Sequence, residues 1–171
     1  MTARSTIHQG PAGSEGLCGA LTIVPADNPG RWDDVREVRK LVFHDEQRLI
    51  GMELTDSDDA RSLTLVAYIG ERPVGTGRLS PPFVSRPAYL SWIATLPEFR
   101  GRGIGTAVTT MLVEASDERQ YGELHLSAQS PAISLYQRIG FVPQGPPFVV
   151  RNIEHRTMRR LARKAPWRPG G

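Results

Sequence analysis

What this chain lacks narrows its class before any motif is considered. Among 171 residues there is one cysteine, Cys18, which excludes an internal disulfide and agrees with a reducing compartment. Cys18 lies in a Gly/Ser-rich stretch with no base nearby in the sequence, which argues against a covalent nucleophile. The four histidines, His8, His44, His125 and His155, show no ligand spacing with one another or with Cys18, so no metal is expected. No apolar run approaches the ~20 residues of a membrane span, and Met1 to Ala20 has no continuous apolar core of the signal-peptide kind. A cytoplasmic protein without a membrane partner is the expectation. There are no internal repeats and no dividing linker, and the length suits one domain with a substantial core.

Basic charge is present, but without the features that usually accompany nucleic-acid binding. The net charge is +3, and much of the excess lies in Arg156, Arg159, Arg160, Arg163, Lys164 and Arg168. No aromatic stacking platform or recognition helix goes with them, which argues against nucleic acid and for a solvated tail. Three segments are therefore expected. Residues 1–19 form a Gly/Ser/Thr-rich disordered tail, 20–161 a folded domain, and 162–171 a basic flexible tail.

The informative stretch is Leu96 to Gly105, Leu-Pro-Glu-Phe-Arg-Gly-Arg-Gly-Ile-Gly. Ahead of it, Tyr89 to Ala94 has the aromatic and β-branched content of a buried strand. Behind it, Ile104, Ala107, Val108, Met111, Leu112 and Ala115 recur at helical spacing. The stretch is therefore a strand-to-helix turn rich in glycine and arginine. The first N–H groups of such a helix have no partner within it, and with the helix dipole they suit phosphate oxygens. Thr106 breaks a G-x-G-x-x-G dinucleotide pattern, and no Gly-Lys-Ser/Thr run of a Walker A loop is present. The pattern that fits is R-x-x-G-x-G, filled by Arg100, Gly103 and Gly105.

The other elements follow in order. Leu21 to Val24 reads as a first strand, and a helix is expected from Trp32 with Asp33 and Asp34 in its first turn. Residues 51–62 are polar and acidic and read as a surface loop. Leu63 to Ile69 and Val74 to Leu79 form an antiparallel hairpin. Leu124 to Ala128 is the strand after the long helix. Ser130 and Pro131 then read as the N-cap and first position of a helix ending at Gly140. Phe141-Val142 and Phe148 to Val150 read as two closing strands. The order β-α-β-β-β-α-β-α-β-β describes one α+β domain around a mixed, mostly antiparallel sheet flanked by helices.

The loop from Arg100 to Gly105 resembles the acetyl-CoA pyrophosphate loop of the GNAT superfamily of N-acyltransferases. Leu126-Ser127-Ala128-Gln129, with Ala132, Leu135-Tyr136 and Gly140-Phe141, resembles the same superfamily about 30 residues further on. Val42 to Gln47, Pro73 to Leu79 and Ile153-x-His155-x-x-Met158 are similar to its ElaA/YjcF-like branch. That branch usually carries Gly-Ile-Pro-His where this chain has Asn152-Ile153-Glu154-His155. Val149-Val150-Arg151 also stands where that branch tends to carry acidic residues.

The resemblance implies an acetyl-CoA-dependent N-acetyltransferase acting directly on a primary amine of a small molecule, as monomer or homodimer. It implies that the main chain of Ile93, Ala94 and Thr95 pairs with the pantetheine arm. Arg100, Gly101, Arg102, Gly103, Ile104, Gly105 and Thr106 would hold the pyrophosphate, and Gln129 would bond the cofactor. Tyr136 matches the family's frequent general acid, protonating the departing thiolate. Glu46, His44 and His155 are candidates for the proton acceptor. Glu46 is favoured for that role, with the two histidines expected to contact the acceptor. Two further readings are acetylation of a protein or peptide amine and a non-catalytic CoA-binding module.

Overall fold

The computed structural model describes residues 19–162. Cys18 and nearly all of the two expected tails lie outside the described residues. The elements are β1 (Leu21–Pro25), α1 (Pro29–Arg39), β2 (Leu63–Ile69), β3 (Arg72–Ser80), β4 (Ala88–Thr95), α2 (Ile104–Glu118), β5 (Glu123–Gln129), α3 (Ile133–Arg138), β6 (Val142–Val150) and β7 (Ile153–Leu161). They build one seven-stranded sheet in the order β1-β2-β3-β4-β5-β7-β6. Only β4 and β5 run parallel, joined by the crossover helix α2. The expected α+β class and mostly antiparallel sheet are what the chain adopts.

α1 begins earlier than expected. The Asn28 side chain caps it by accepting from the Arg31 amide at 3.0 Å, and Pro29 takes the first position, where a missing N–H costs nothing. Asp33 and Asp34 therefore fall beyond the first turn. Their side chains instead meet Arg36 and Tyr68. After Arg39 the helix widens into a π-helical segment, Lys40–Glu46. Such segments recur at functional sites.

Two further expectations are corrected. Phe141 is not in a strand, and the stretch around Phe148 belongs to a single long β6 with an irregular register between Gln144 and Phe148. The closing strand is β7, which takes up arginines expected to belong to a solvated tail. Arg160 is buried and donates two 2.8 Å hydrogen bonds to Asp117 at the end of α2, and Arg159 pairs with Glu123. Those partners come from distant segments, which is why local sequence made the cluster look free. Ser130 likewise does not cap α3; its hydroxyl donates to Glu154, and a short 3₁₀ turn over Ser130–Ala132 precedes the helix.

The loop over 51–62 is not simply a surface loop. Asp59 reaches inward to Arg39 of α1, which is fully buried, with two 3.0 Å contacts, and to Arg78 of β3 at 2.9 Å. Burial by itself would raise the Asp59 pKa, but the two guanidiniums outweigh it and hold the carboxyl below its ordinary value. The main core lies around β3, β4 and α2. Gly77 of β3 is required there: a Cβ would stand 2.7 to 2.9 Å from side chains of Ile93, Val108 and Leu112. That close approach sets α2 against the middle of the sheet.

Candidate active site

The sheet opens at its centre. β4 and β5 pair only through Ala88, Tyr89 and Leu90, after which β4 has no β5 partner, while β5 stays paired with β7 as far as Gln129. Within β4 the register with β3 shifts, so that Trp92 and Ile93 together oppose Gly77. Trp92 takes a left-handed backbone, φ +56°. A bulge of this kind bends the strand and re-aims its main-chain groups. Trp92 is held in place edge-on by Phe43 at 5.2 Å and by the Arg39 guanidinium, 4.4 Å from its ring centroid. The gap and bulge leave the second edge of Ile93, Ala94 and Thr95 without a strand partner, as a thioester arm adding like a strand would require.

A cleft of about 280 Å³ occupies the opening. Tyr136, Gln129, Ile93 and His155 line it, together with Gln47 and Phe43 from the π-helical segment and its end. The structure thus brings four expected residues to one place from β4, β5, α3 and β7. Tyr136 is buried, and among the described residues no side chain hydrogen-bonds its hydroxyl. Burial pushes its phenol up to about 12, so the proton is held throughout the neutral range. His155 stacks on Phe148 with ring centroids 5.9 Å apart. Its Nδ1 lies 2.8 Å from the Ile153 carbonyl, so Nδ1 carries the proton and donates, leaving the Nε2 lone pair free in the neutral ring. Gln129 exchanges side-chain hydrogen bonds with Gln47 at 3.1 and 3.4 Å. Gln47, Phe43 and Trp92 are not expected as site residues, although Phe43 and Gln47 lie in the Val42–Gln47 stretch that resembles the branch; the π-helical widening and the bulge bring them to the cleft.

Two expected residues stand elsewhere. Both oxygens of Glu46 accept from Arg100, each at 2.6 Å, and Glu46 does not line the cleft. The hydrogen bond to Glu46 raises the Arg100 pKa, and Arg100 also donates to the Thr95 carbonyl at 3.0 Å. This arginine ties the end of the π-helical segment to the end of β4. His44 Nε2 donates to the Met52 carbonyl at 2.6 Å, and His44 too lies outside the cleft lining.

The turn before α2 has the shape of an anion cradle. Gly101 and Gly103 hold φ of +74° and +80°, and a Cβ at either would meet nothing within 4 Å, so the space above them is open. α2 is 15 residues long, and no side chain caps its first N–H groups. Ile104 is buried and anchors the turn, while Gly105 and Thr106 open the helix. Arg102 is exposed, its guanidinium 5.2 Å from the Phe99 ring centroid and without a carboxylate partner among the described residues. Open left-handed glycines, uncapped amides and a free cation fit a diphosphate. Among the described residues no group of three or more His, Cys, Asp or Glu is placed to hold a metal ion, and no helix is long and apolar enough to cross a membrane.

A splayed β4/β5 pair with a bulge, followed by a glycine cradle opening a crossover helix, is the arrangement of a GNAT acyltransferase. The chain belongs to that family: residues 29–141 match the Acetyltransferase (GNAT) family. It is an acyltransferase enzyme of the ElaA/YjcF-like kind. Over 123 residues it is 30% identical to the uncharacterized N-acetyltransferase YjcF of Bacillus subtilis, covering 71% of this chain and 85% of that protein. Escherichia coli ElaA has the same fold, with a TM-score of 0.73 at 18% identity over 82% of this chain and 97% of that one. A GNAT family acetyltransferase from Elizabethkingia anophelis, solved with acetyl-CoA bound, superposes with a TM-score of 0.58 at 17% identity, covering 82% of this chain and 97% of the other.

Proposed function

We propose that this enzyme moves an acetyl group from acetyl-CoA directly to a primary amine of a small molecule. The observation that carries the proposal is the convergence of Tyr136, His155 and the unpaired edge of β4 on one cleft. The Gly101–Thr106 cradle and Arg102 hold the diphosphate. The free edge of Ile93 to Thr95 takes the pantetheine arm, with Gln129 beside it. Arg100 is engaged with Glu46 and Thr95, so its part is to position the cradle against β4.

In the transfer, the amine nitrogen forms a bond to the acetyl carbon and the carbon–sulfur bond breaks. A main-chain N–H of the bulged Trp92–Ile93 stretch stabilises the developing oxyanion. His155 Nε2 accepts the amine proton, either directly or through a water. Glu46 keeps a positioning role through Arg100. Tyr136 gives its proton to the departing sulfur. At about 12 the phenol is a weaker acid than an ordinary thiol near 8.5. Transfer from the phenol is therefore favourable only where burial in the cleft raises the thiol as well.

The small-molecule acceptor is favoured over a protein by the loop over 51–62. The Asp59 ion pairs hold it against α1 and β3, and the pocket of about 330 Å³ that Asp58 and Arg61 line beside it has the size of a small-molecule site. The test is thiol release from acetyl-CoA in the presence of pooled amino acids, polyamines, aminosugars, other small amines and short peptides. Release with a small-amine pool supports the proposal. Release with peptides alone, or none with any pool, rejects it.

A further inference from the structure

Beyond the transfer cleft the site continues toward a pocket whose charge has no counterpart. We propose that this pocket is an anion subsite. Building on the acetyl-transfer proposal, the acceptor is then a small primary amine with an anionic group at the far end of an apolar body. Arg48, just after the π-helical segment, and Arg151, in the β6–β7 turn, both line a mouth pocket of about 380 Å³. No Asp or Glu lines it, and among the described residues neither guanidinium has a carboxylate partner. Arg39, Arg78, Arg100 and Arg160, by contrast, are each paired. Two like charges brought to one pocket repel each other, and an anion between them would reverse the sign of that interaction. A guanidinium fork suits a carboxylate or a phosphate equally.

The space between is apolar. Phe43, Leu49, Met52, Trp92, Val150 and Ile153 line a second compartment of about 220 Å³. It shares Phe43, Trp92, Gln129 and His155 with the transfer cleft and Leu49, Arg151 and Ile153 with the arginine pocket, and Gln47 lines all three. The three compartments therefore adjoin one another in a row. On β7, His155 and Ile153 are two residues apart and face the same side, about 7 Å along the strand, and Arg151 lies beyond them at the turn. Amine and anion are thus on the order of 10 Å apart. An α-amino acid, whose two groups share one carbon, does not span that distance.

The experiment measures thiol release by the full chain with three acceptors of matched length, ω-aminooctanoate, its amide and ω-aminohexyl phosphate, and with leucine as the short α-amino acid. The anionic acceptors should exceed the amide in kcat/KM by about tenfold or more, and the two anionic arms show which anion the subsite takes. Arg48→Asn combined with Arg151→Asn should bring the ratio of anionic to neutral acceptor close to one. Both positions hold left-handed φ, +57° and +50°, which asparagine accommodates, so the variant is expected to fold; its thermal unfolding checks this. Equal kcat/KM for charged and neutral acceptors, a ratio unmoved by the double variant, or a preference for leucine or a peptide would overturn the subsite. If no acceptor releases thiol, acetyl transfer to amines of this class is wrong, and calorimetry with ω-acetamidooctanoate decides the subsite on its own. Binding that the double variant loses upholds it, and no binding to the wild type rejects it.

Discussion

At the scale of single residues, the proposed transfer rests on two protons, one given by the Tyr136 hydroxyl and one taken up by His155 Nε2. Replacing Tyr136 by Phe removes only a hydroxyl that has no protein partner among the described residues, so the cleft should keep its shape. We expect kcat to fall by about 10²-fold or more while acetyl-CoA affinity, read by calorimetry, stays within about twofold. Unaltered turnover would remove Tyr136 from the chemistry. The same phenol leaves a mark on stability. Its folded value of about 12 lies above the ordinary 10, so its contribution is complete below pH 10 and fades as the pH rises toward 12. Denaturant titrations between pH 10 and 12 should show the wild type losing on the order of 2 kcal/mol more than Tyr136→Phe. His155 and Glu46 separate by a different readout. His155→Asn should lower kcat/KM for the amine about tenfold or more while leaving the KM for acetyl-CoA unchanged. Glu46→Gln should instead raise the KM for acetyl-CoA through the loosened Arg100. A kcat loss in Glu46→Gln with KM intact would return the proton acceptor to Glu46.

At the scale of elements, the decisive pieces are the strand edge and the turn that follows it. The cradle needs left-handed backbone at Gly103, where φ is +80°. A Cβ there meets nothing in the protein but costs about 1–2 kcal/mol of backbone strain. For Gly103→Val we expect that modest loss of stability together with a loss of acetyl-CoA affinity of tenfold or more, because the side chain enters the space above the cradle. Unchanged affinity in a folded variant would make the turn merely structural. The π-helical segment is the second such piece. Its extra residue per turn brings Phe43 and Gln47 to the cleft while Glu46 meets Arg100, a division of labour that helical spacing read from sequence does not show.

At the scale of the whole molecule, the buried cluster of Arg39, Asp59 and Arg78 joins α1, the 51–62 loop and β3 beneath Trp92. Removing Asp59 leaves the fully buried Arg39 without its carboxylate. Asp59→Ala should therefore cost about 3–5 kcal/mol, seen as a lower urea midpoint. Because the folded Asp59 is held below its ordinary value, this stabilisation is complete above about pH 4 and is lost on acidification through the lower folded value. Acid titration of Asp59→Ala should lack that part of the wild-type loss.

The sequence alone does not show β7, both expected closing strands falling at or within β6, but it carries the first eight elements in order, the glycine turn opening α2, and the family. Each is local: helical and alternating periodicities, left-handed glycines and uncapped helix amides are written in adjacent residues. Asn28-Pro29 is an equally local signal, an N-cap followed by a first helical position, although the helix is expected only from Trp32. Arg159 and Arg160 look solvent-facing in the sequence because their partners, Glu123 and Asp117, are far away along the chain and meet them only in the fold. Only the tertiary structure decided where β4 and β5 part, that Trp92 and Ile93 form a bulge, and that Glu46 closes on Arg100 while His155 faces the cleft. Those outcomes rest on pairing register and on charges meeting across the fold, which depend on segments up to about a hundred residues apart and leave no periodic trace in the chain.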